Sequence, residues 1–265
     1  LFPDRIDLGV GRAAVPAEIE QALNRSGSAA GGQDDPMAAA GAWLRDQDQI
    51  EELLAWLRFP TDPENPYEEI APGVAGGPAP WVLGSSPNSA LFAAHLGLPY
   101  CFAGFIKPSA ASTAIQIYNA AFTASDFADQ PYSMLSLDIS CAGDDLEARE
   151  LRASAELVRR DLARGLVRSG PLPSPEQALA QLGVTPAPTP VRSAQLPHQI
   201  SGTPEHLADV LDEILAQTGV DEILAHDSIG DPDCRMASYG LLSSLITDQP
   251  TLNAPVSASA SGSSR

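Results

Sequence analysis

Apolar and polar positions along this chain alternate between two periods, and each change of period marks an element. The stretch "RIDLGVGRA", Arg5 to Ala13, alternates and is bounded by Asp4 and glycines, so it predicts a short buried strand ending in a turn. Ala14 to Ala40 is small, polar and loop-like. "QDQIEELLAWLRF" puts Ile50, Leu53, Leu54 and Leu57 on one helical face. A Pro/Gly-rich segment, Pro60 to Pro80, leads into a strand at Trp81–Leu83 and an Ala/Leu-rich helix. "YCFAGFI", Tyr100 to Ile106, predicts a further strand, with a helix over Ser109 to Ala124.

"PYSMLSLDISCAG", Pro131 to Gly143, reads as another strand, and Asp144 and Asp145 signal the start of a helix running through Leu162. Leu166 to Gln199 is a Pro-punctuated excursion with one short helix, Pro175 to Leu182. Thr203, Pro204 and Gly219 bracket a strong helix as N-cap, first residue and C-terminal stop. "VDEILAH" is the last strand and "CRMASYGLLSSLI" the closing helix. Residues 1–249 are therefore expected to form one domain, and the Ser/Ala-rich residues 250–265 a disordered tail. Strands alternating with helices call for an α/β fold with parallel strands and right-handed crossovers. Periodicity does not choose between a barrel and a doubly wound sheet.

Charge narrows the partners. Fifteen Lys+Arg against 34 Asp+Glu give a formal charge of −19, which repels nucleic acid and anionic membranes. Lys107 is the single lysine, so an anion site must use arginine or backbone. Cys101, Cys141 and Cys234 are widely spaced, without a C-x-x-C pair, and indicate neither a zinc site nor a disulfide framework. With no signal-peptide pattern and no long apolar span, the expected setting is the cytoplasm.

The chemistry concentrates where the second strand becomes a helix, at "LGSSPNS". Ser85, Ser86 and Ser89 are good helix caps, and the same hydroxyls, with free N–H groups and the helix dipole, can hold a phosphate. The turn lacks the G-x-S-x-G spacing of a hydrolase elbow, and "GVGRAA" does not complete a dinucleotide fingerprint. His226, Asp227, Asp231 and Asp233 read as a solvated loop and an N-cap before they read as a metal site. Trp43, Trp56 and Phe59 sit at helical spacing and read as core.

"RIDLGVGRA", "WVLGSSPNSALFAAHLGLPYCFAGF" and "GTPEHLADVLDEILAQTGVDEIL" resemble, in order and spacing, the luciferase-like flavin monooxygenases. The resemblance implies a (β/α)8 TIM-barrel type fold, incomplete, entered at the fourth strand and lacking about the first three βα units. It implies reduced FMN as cofactor, with a deazaflavin left open. O₂, a small organic substrate and a separate flavin reductase would be the partners. Arg12 of "GVGR" matches the family's phosphate-binding arginine, and Ser85, Ser86 and Ser89 match its phosphate loop, with Gly84 admitting the backbone close to the ligand. It names no catalytic residue and no metal. Family dimers pack through the N-terminal part, so a homo-oligomer is expected of a full-length form. A non-catalytic remnant holding at most a flavin phosphate is the alternative expectation.

Overall fold

The computed structural model describes residues 6–11, 49–57, 78–166 and 170–247. Arg12, the loop from Ala14 to Ala40, Trp43, Phe59 and the 250–265 tail lie outside the described residues. The chain divides into two compact units, Leu1–Trp81 and Val82–Arg265.

The first unit contains strand β1, Asp7–Gly11, and helix α1, residues 49–57. Leu54 is buried on α1, while Trp56 stands 36% exposed, so Trp56 is no core residue. Strand β2, Ala79–Gly84, begins here, and the Ala79 N–H donates to the Ile6 carbonyl at 3.1 Å.

The second unit alternates strand and helix. The end of β2 is followed by α2 (Pro87–Leu96), β3 (Tyr100–Ala103), a 3-10 turn (Pro108–Ala110) and α3 (Ala111–Ala121). Then come β4 (Ser133–Cys141), α4 (Asp145–Ala163) and α5 (Pro175–Leu182). Last are β5 (Gln199–Gly202), α6 (Pro204–Thr218), β6 (Glu222–His226) and α7 (Pro232–Thr247).

All of the strand pairings in this unit are parallel, as strand–helix alternation demands. Met134 to Ser136 pair with β3 and β6 at once, and Asp138 pairs with β5 and β6 at once. A strand has two edges. So β6 occupies one edge of β4, while β3 and β5 lie end to end along the other. β5 begins at Gln199, the last residue of what the sequence presents as an excursion, and the sequence reading does not predict it, because four residues are too few to show a period. The predicted strand at Tyr100–Ile106 ends early: Gly104 makes the last ladder bond, to the Ser136 carbonyl at 2.9 Å, and residues 104–106 turn.

Register partners share a face of the sheet. Tyr100 and Phe102 point with Ser133, Leu135, Leu137 and Ile139 toward the helices, where the Tyr100 ring lies 5.4 Å from that of Tyr118 on α3. Ala90, Ala93 and Ala94 on α2 and Ala111 and Ala114 on α3 are fully buried, and their small size lets the two helices approach closely. The Tyr118 hydroxyl donates to the Leu98 carbonyl at 3.0 Å and accepts the Tyr132 N–H at 3.1 Å. It thereby ties the chain leading into β3 to the chain leading into β4, and burial pushes its pKa up to about 12. At the same end, the Asp221 carboxylate accepts the N–H of Ser133 at 2.8 Å and its hydroxyl at 3.0 Å. These contacts pin the N-terminal ends of the strands, the end of such a sheet that serves stability.

Tyr118→Phe should lower stability by about 1–3 kcal/mol, because the Tyr132 N–H loses its buried acceptor. Urea unfolding followed by circular dichroism measures it; a loss below about 0.5 kcal/mol would show that water replaces the hydroxyl.

Candidate functional site

Two polar clusters stand out, one after the end of β2 and one across β4, β5 and β6. The first is the turn from β2 into α2. Ser86 is the N-cap: its Oγ accepts the Ser89 N–H at 3.3 Å, and Ser89 Oγ accepts the Ser86 N–H at 3.3 Å. Ser89 Oγ also donates to the Ser86 carbonyl at 2.7 Å and lies 3.0 Å from the Tyr100 hydroxyl. Both serines are thus committed to the capping box that the sequence offered as one of two readings.

Gly84 has a packing reason. A Cβ there would lie 2.1 Å from Ser89 Oγ and 2.3 Å from Ser89 Cβ, so the space belongs to the helix start rather than to a ligand. Of the N–H groups in the first turn, Pro87 has none, and those of Ser89 and Ala90 are paired. What remains without a partner among the described residues is the Asn88 N–H and the Ser85 hydroxyl. The donor set is smaller than the sequence suggests, and it centres on Ser85 and Asn88. Arg12 contributes no geometry, since it lies outside the described residues.

Of the second cluster the sequence reading singles out only His226, as part of a solvated loop; the structure instead places it at the end of β6. Asp138 on β4 and His226 on β6 are register partners, as are Asp138 and Gln199 on β5, so the three share the face turned away from the helices. Ser228 Oγ donates to Asp138 Oδ2 at 2.8 Å. The Phe105 ring meets the His226 ring at 4.3 Å, edge to face, and His198 Nδ1 lies 3.1 Å from the Phe105 carbonyl. Burial raises the pKa of Asp138 above the ordinary 3.8, while the Ser228 hydroxyl and the nearby His226 pull it back. The signal was present in "SMLSLDISC": the run alternates, and one alternate position carries an acid.

The acids after β6 take the N-cap role instead. Asp231 Oδ1 accepts the N–H groups of Asp233 and Cys234 at 3.0 and 2.9 Å and starts α7. Asp227 pairs with Arg235 at 3.0 Å. The three thiols are poor nucleophiles: burial pushes Cys101 and Cys141 up to about 11 and raises Cys234.

Set beside known proteins, this strand–helix series with its Ser-rich turn has a clear family. The model of the luciferase-like monooxygenases matches residues 1–222. The chain belongs to the luciferase-like monooxygenases. A luciferase-like monooxygenase of Escherichia coli K12 is 32% identical over 241 residues, covering 91% of this chain and 67% of that protein. The Bacillus subtilis protein YvbT is 31% identical over 243 residues, covering 91% and 67%. The crystal structure of apo-MsnO8 superposes with a TM-score of 0.75 at 34% identity, covering 94% of this chain and 70% of that one. Monooxygenase RslO1 from Streptomyces bottropensis, at 19% identity and a TM-score of 0.57, shares the fold. The parallel α/β sheet of this chain is of the TIM-barrel type found in this family.

Two outcomes follow from the clusters. Ser86→Ala should cost about 1 kcal/mol through the lost cap, whereas Ser85→Ala should stay within about 0.5 kcal/mol, as read by thermal melting. Equal losses would mean that Ser85 also holds the turn. Asp138→Asn should raise the melting temperature at pH 7–8. A buried carboxyl with a raised pKa favours the folded state below the unfolded value of 3.8, and that advantage disappears as pH climbs through the folded value. The variant's gain should therefore shrink toward zero as pH falls to 3.8; a pH-independent difference would exclude the titration of Asp138 as its cause.

Proposed function

We propose that this chain binds reduced FMN and, with O₂, oxygenates a small organic substrate, the flavin being reduced by a separate flavin reductase. Membership in the luciferase-like monooxygenases supports this reading, and so does one observation at the start of α2. The Ser85 hydroxyl and the Asn88 N–H stand without partners at the N-terminus of α2, at the C-terminal end of β2. That is where a parallel barrel carries its chemistry and where a helix dipole favours an anion.

The donors that fit a phosphate are therefore Ser85 and Asn88. Ser86 and Ser89 hold the turn in shape, and Gly84 leaves room for Ser89. Arg12 would bring the guanidinium, a role that rests on the family resemblance. When bound, a reduced flavin supplies the electrons that activate O₂. The chain's own part is to bind, orient and exclude water. On the sheet face opposite the helices, Leu83, Cys101 and Met134 are register partners and make one apolar row, suited to an isoalloxazine or an apolar substrate. Farther along the same face the row turns polar, with Ser136 and Asp138.

The test is a titration of FMN and riboflavin followed by flavin fluorescence. A charge-assisted pair to phosphate contributes about 1.5–3 kcal/mol and a neutral hydroxyl about 0.5–1.5. Arg12→Ala should weaken FMN roughly tenfold or more, and Ser85→Ala by less. Riboflavin lacks the phosphate and should bind parent and variants alike. An Arg12→Ala loss of equal size for both ligands would make the arginine a support of the fold, and would overturn its phosphate role.

A further inference from the structure

Among the described residues, six buried side-chain polar atoms find no hydrogen-bond partner. Five of them are Asp138 Oδ1, Ser140 Oγ, Gln199 Oε1, Ser201 Oγ and His226 Nε2; the sixth, Arg152 Nε, is on α4. Asp138 pairs in register with Gln199 and His226, and Ser140 with Ser201. Register partners, and residues two apart on a strand, project to the same side. All five atoms therefore belong to one face of three adjacent strands, away from the helices: in the C-terminal half of β4, on β5 from its first residue, and at the last residue of β6. The other face of β4 is Leu135, Leu137 and Ile139, so an apolar solution was open to this strand and is used only on the helix side.

Buried polar groups almost always have partners, and each exception costs free energy. A cluster of exceptions on one face of the strands points to a ligand that completes them. We propose that Asp138, Gln199 and His226 form a substrate subsite, separate from the Ser85–Asn88 turn, that binds an aromatic hydroxyl.

The donor and acceptor inventory selects that group. Gln199 Oε1 accepts only, so the ligand must donate. Asp138 Oδ1 and His226 Nε2 can each donate or accept according to protonation, so the ligand must also be able to accept. A carbonyl oxygen leaves Gln199 without a donor. A cation calls for an ionised Asp138, which burial opposes. A hydroxyl donates its one hydrogen to Gln199 Oε1 and accepts from a protonated Asp138 Oδ1 and from a His226 Nε2–H, so it satisfies all three when Asp138 is the neutral acid that burial favours. The Phe105 ring, held edge to face against His226 at 4.3 Å, supplies the aromatic wall. Ser228 fixes the other carboxylate oxygen of Asp138 at 2.8 Å and keeps Oδ1 oriented.

The assignment of this ligand as substrate rests on the monooxygenase reading; the recognition of a hydroxyl does not. The probes are phenol and toluene, which differ by hydroxyl against methyl, titrated calorimetrically into the whole chain. The parent should prefer phenol by about tenfold. It should also show phenol-dependent movement of one ring among its four histidines by NMR. His226→Phe keeps a ring against Phe105 and Gln199→Met keeps the length of the side chain, and each should erase most of the preference while toluene binding persists. A preference that survives both variants, or a parent that binds toluene and phenol equally, overturns the subsite and leaves the five atoms to solvent. Absence of phenol binding does the same. An FMN titration of the same proteins separates the two readings: failure to bind FMN beside an intact phenol preference removes the flavin proposal and leaves the subsite standing.

Discussion

Strand β4 is the constraint on which the second unit depends. All nine of its residues are buried, and both of its edges are paired in parallel, by β6 on one side and by β3 and then β5 on the other. A central strand buried on both faces can be apolar throughout. From Leu135 onward this one is apolar toward the helices and polar, at Ser136, Asp138 and Ser140, away from them. The fold is secured by one face, and the other is left to carry chemistry.

The two ends of the strands divide the labour. At the N-terminal ends, Tyr118 and Asp221 bond backbone and hydroxyl groups that lead into β3 and β4, and these contacts are satisfied. Farther along, groups without protein partners collect: the solvent-facing Ser85 hydroxyl and Asn88 N–H after β2, and the buried Asp138, Gln199 and His226 across β4, β5 and β6. A chain that spends its polar partners at one end and leaves them open at the other is arranged for binding at the second.

The two readings of "LGSSPNS" divide between its residues. Capping and anion binding compete for the same N–H groups, and the geometry assigns Ser86 and Ser89 to the cap. On the proposed reading the phosphate then falls to Ser85, just before the N-cap, and to Asn88, inside the capping box, which holds those two donors still.

Local chemistry determined much of this protein from the sequence alone. Thr203, Pro204 and Gly219 set the limits of α6, and Ser174 and Gly183 those of α5, because caps and stops act within one turn. Asp231 was legible as an N-cap for the same reason. The family register was legible in three motifs, since order and spacing survive without coordinates. Tertiary structure alone decided the rest. β5 exists because β4 is long enough to offer an edge beyond the end of β3, a length no four-residue window reveals. Ser85 and Ser86 are alike in sequence and differ only in which one the helix uses. Asp138, Gln199 and His226 lie far apart in the chain, and only parallel pairing in this register lays them side by side on one face. Sequence fixes the partners of a residue within a turn; a strand's neighbours come from elsewhere in the chain, and the site is made of neighbours.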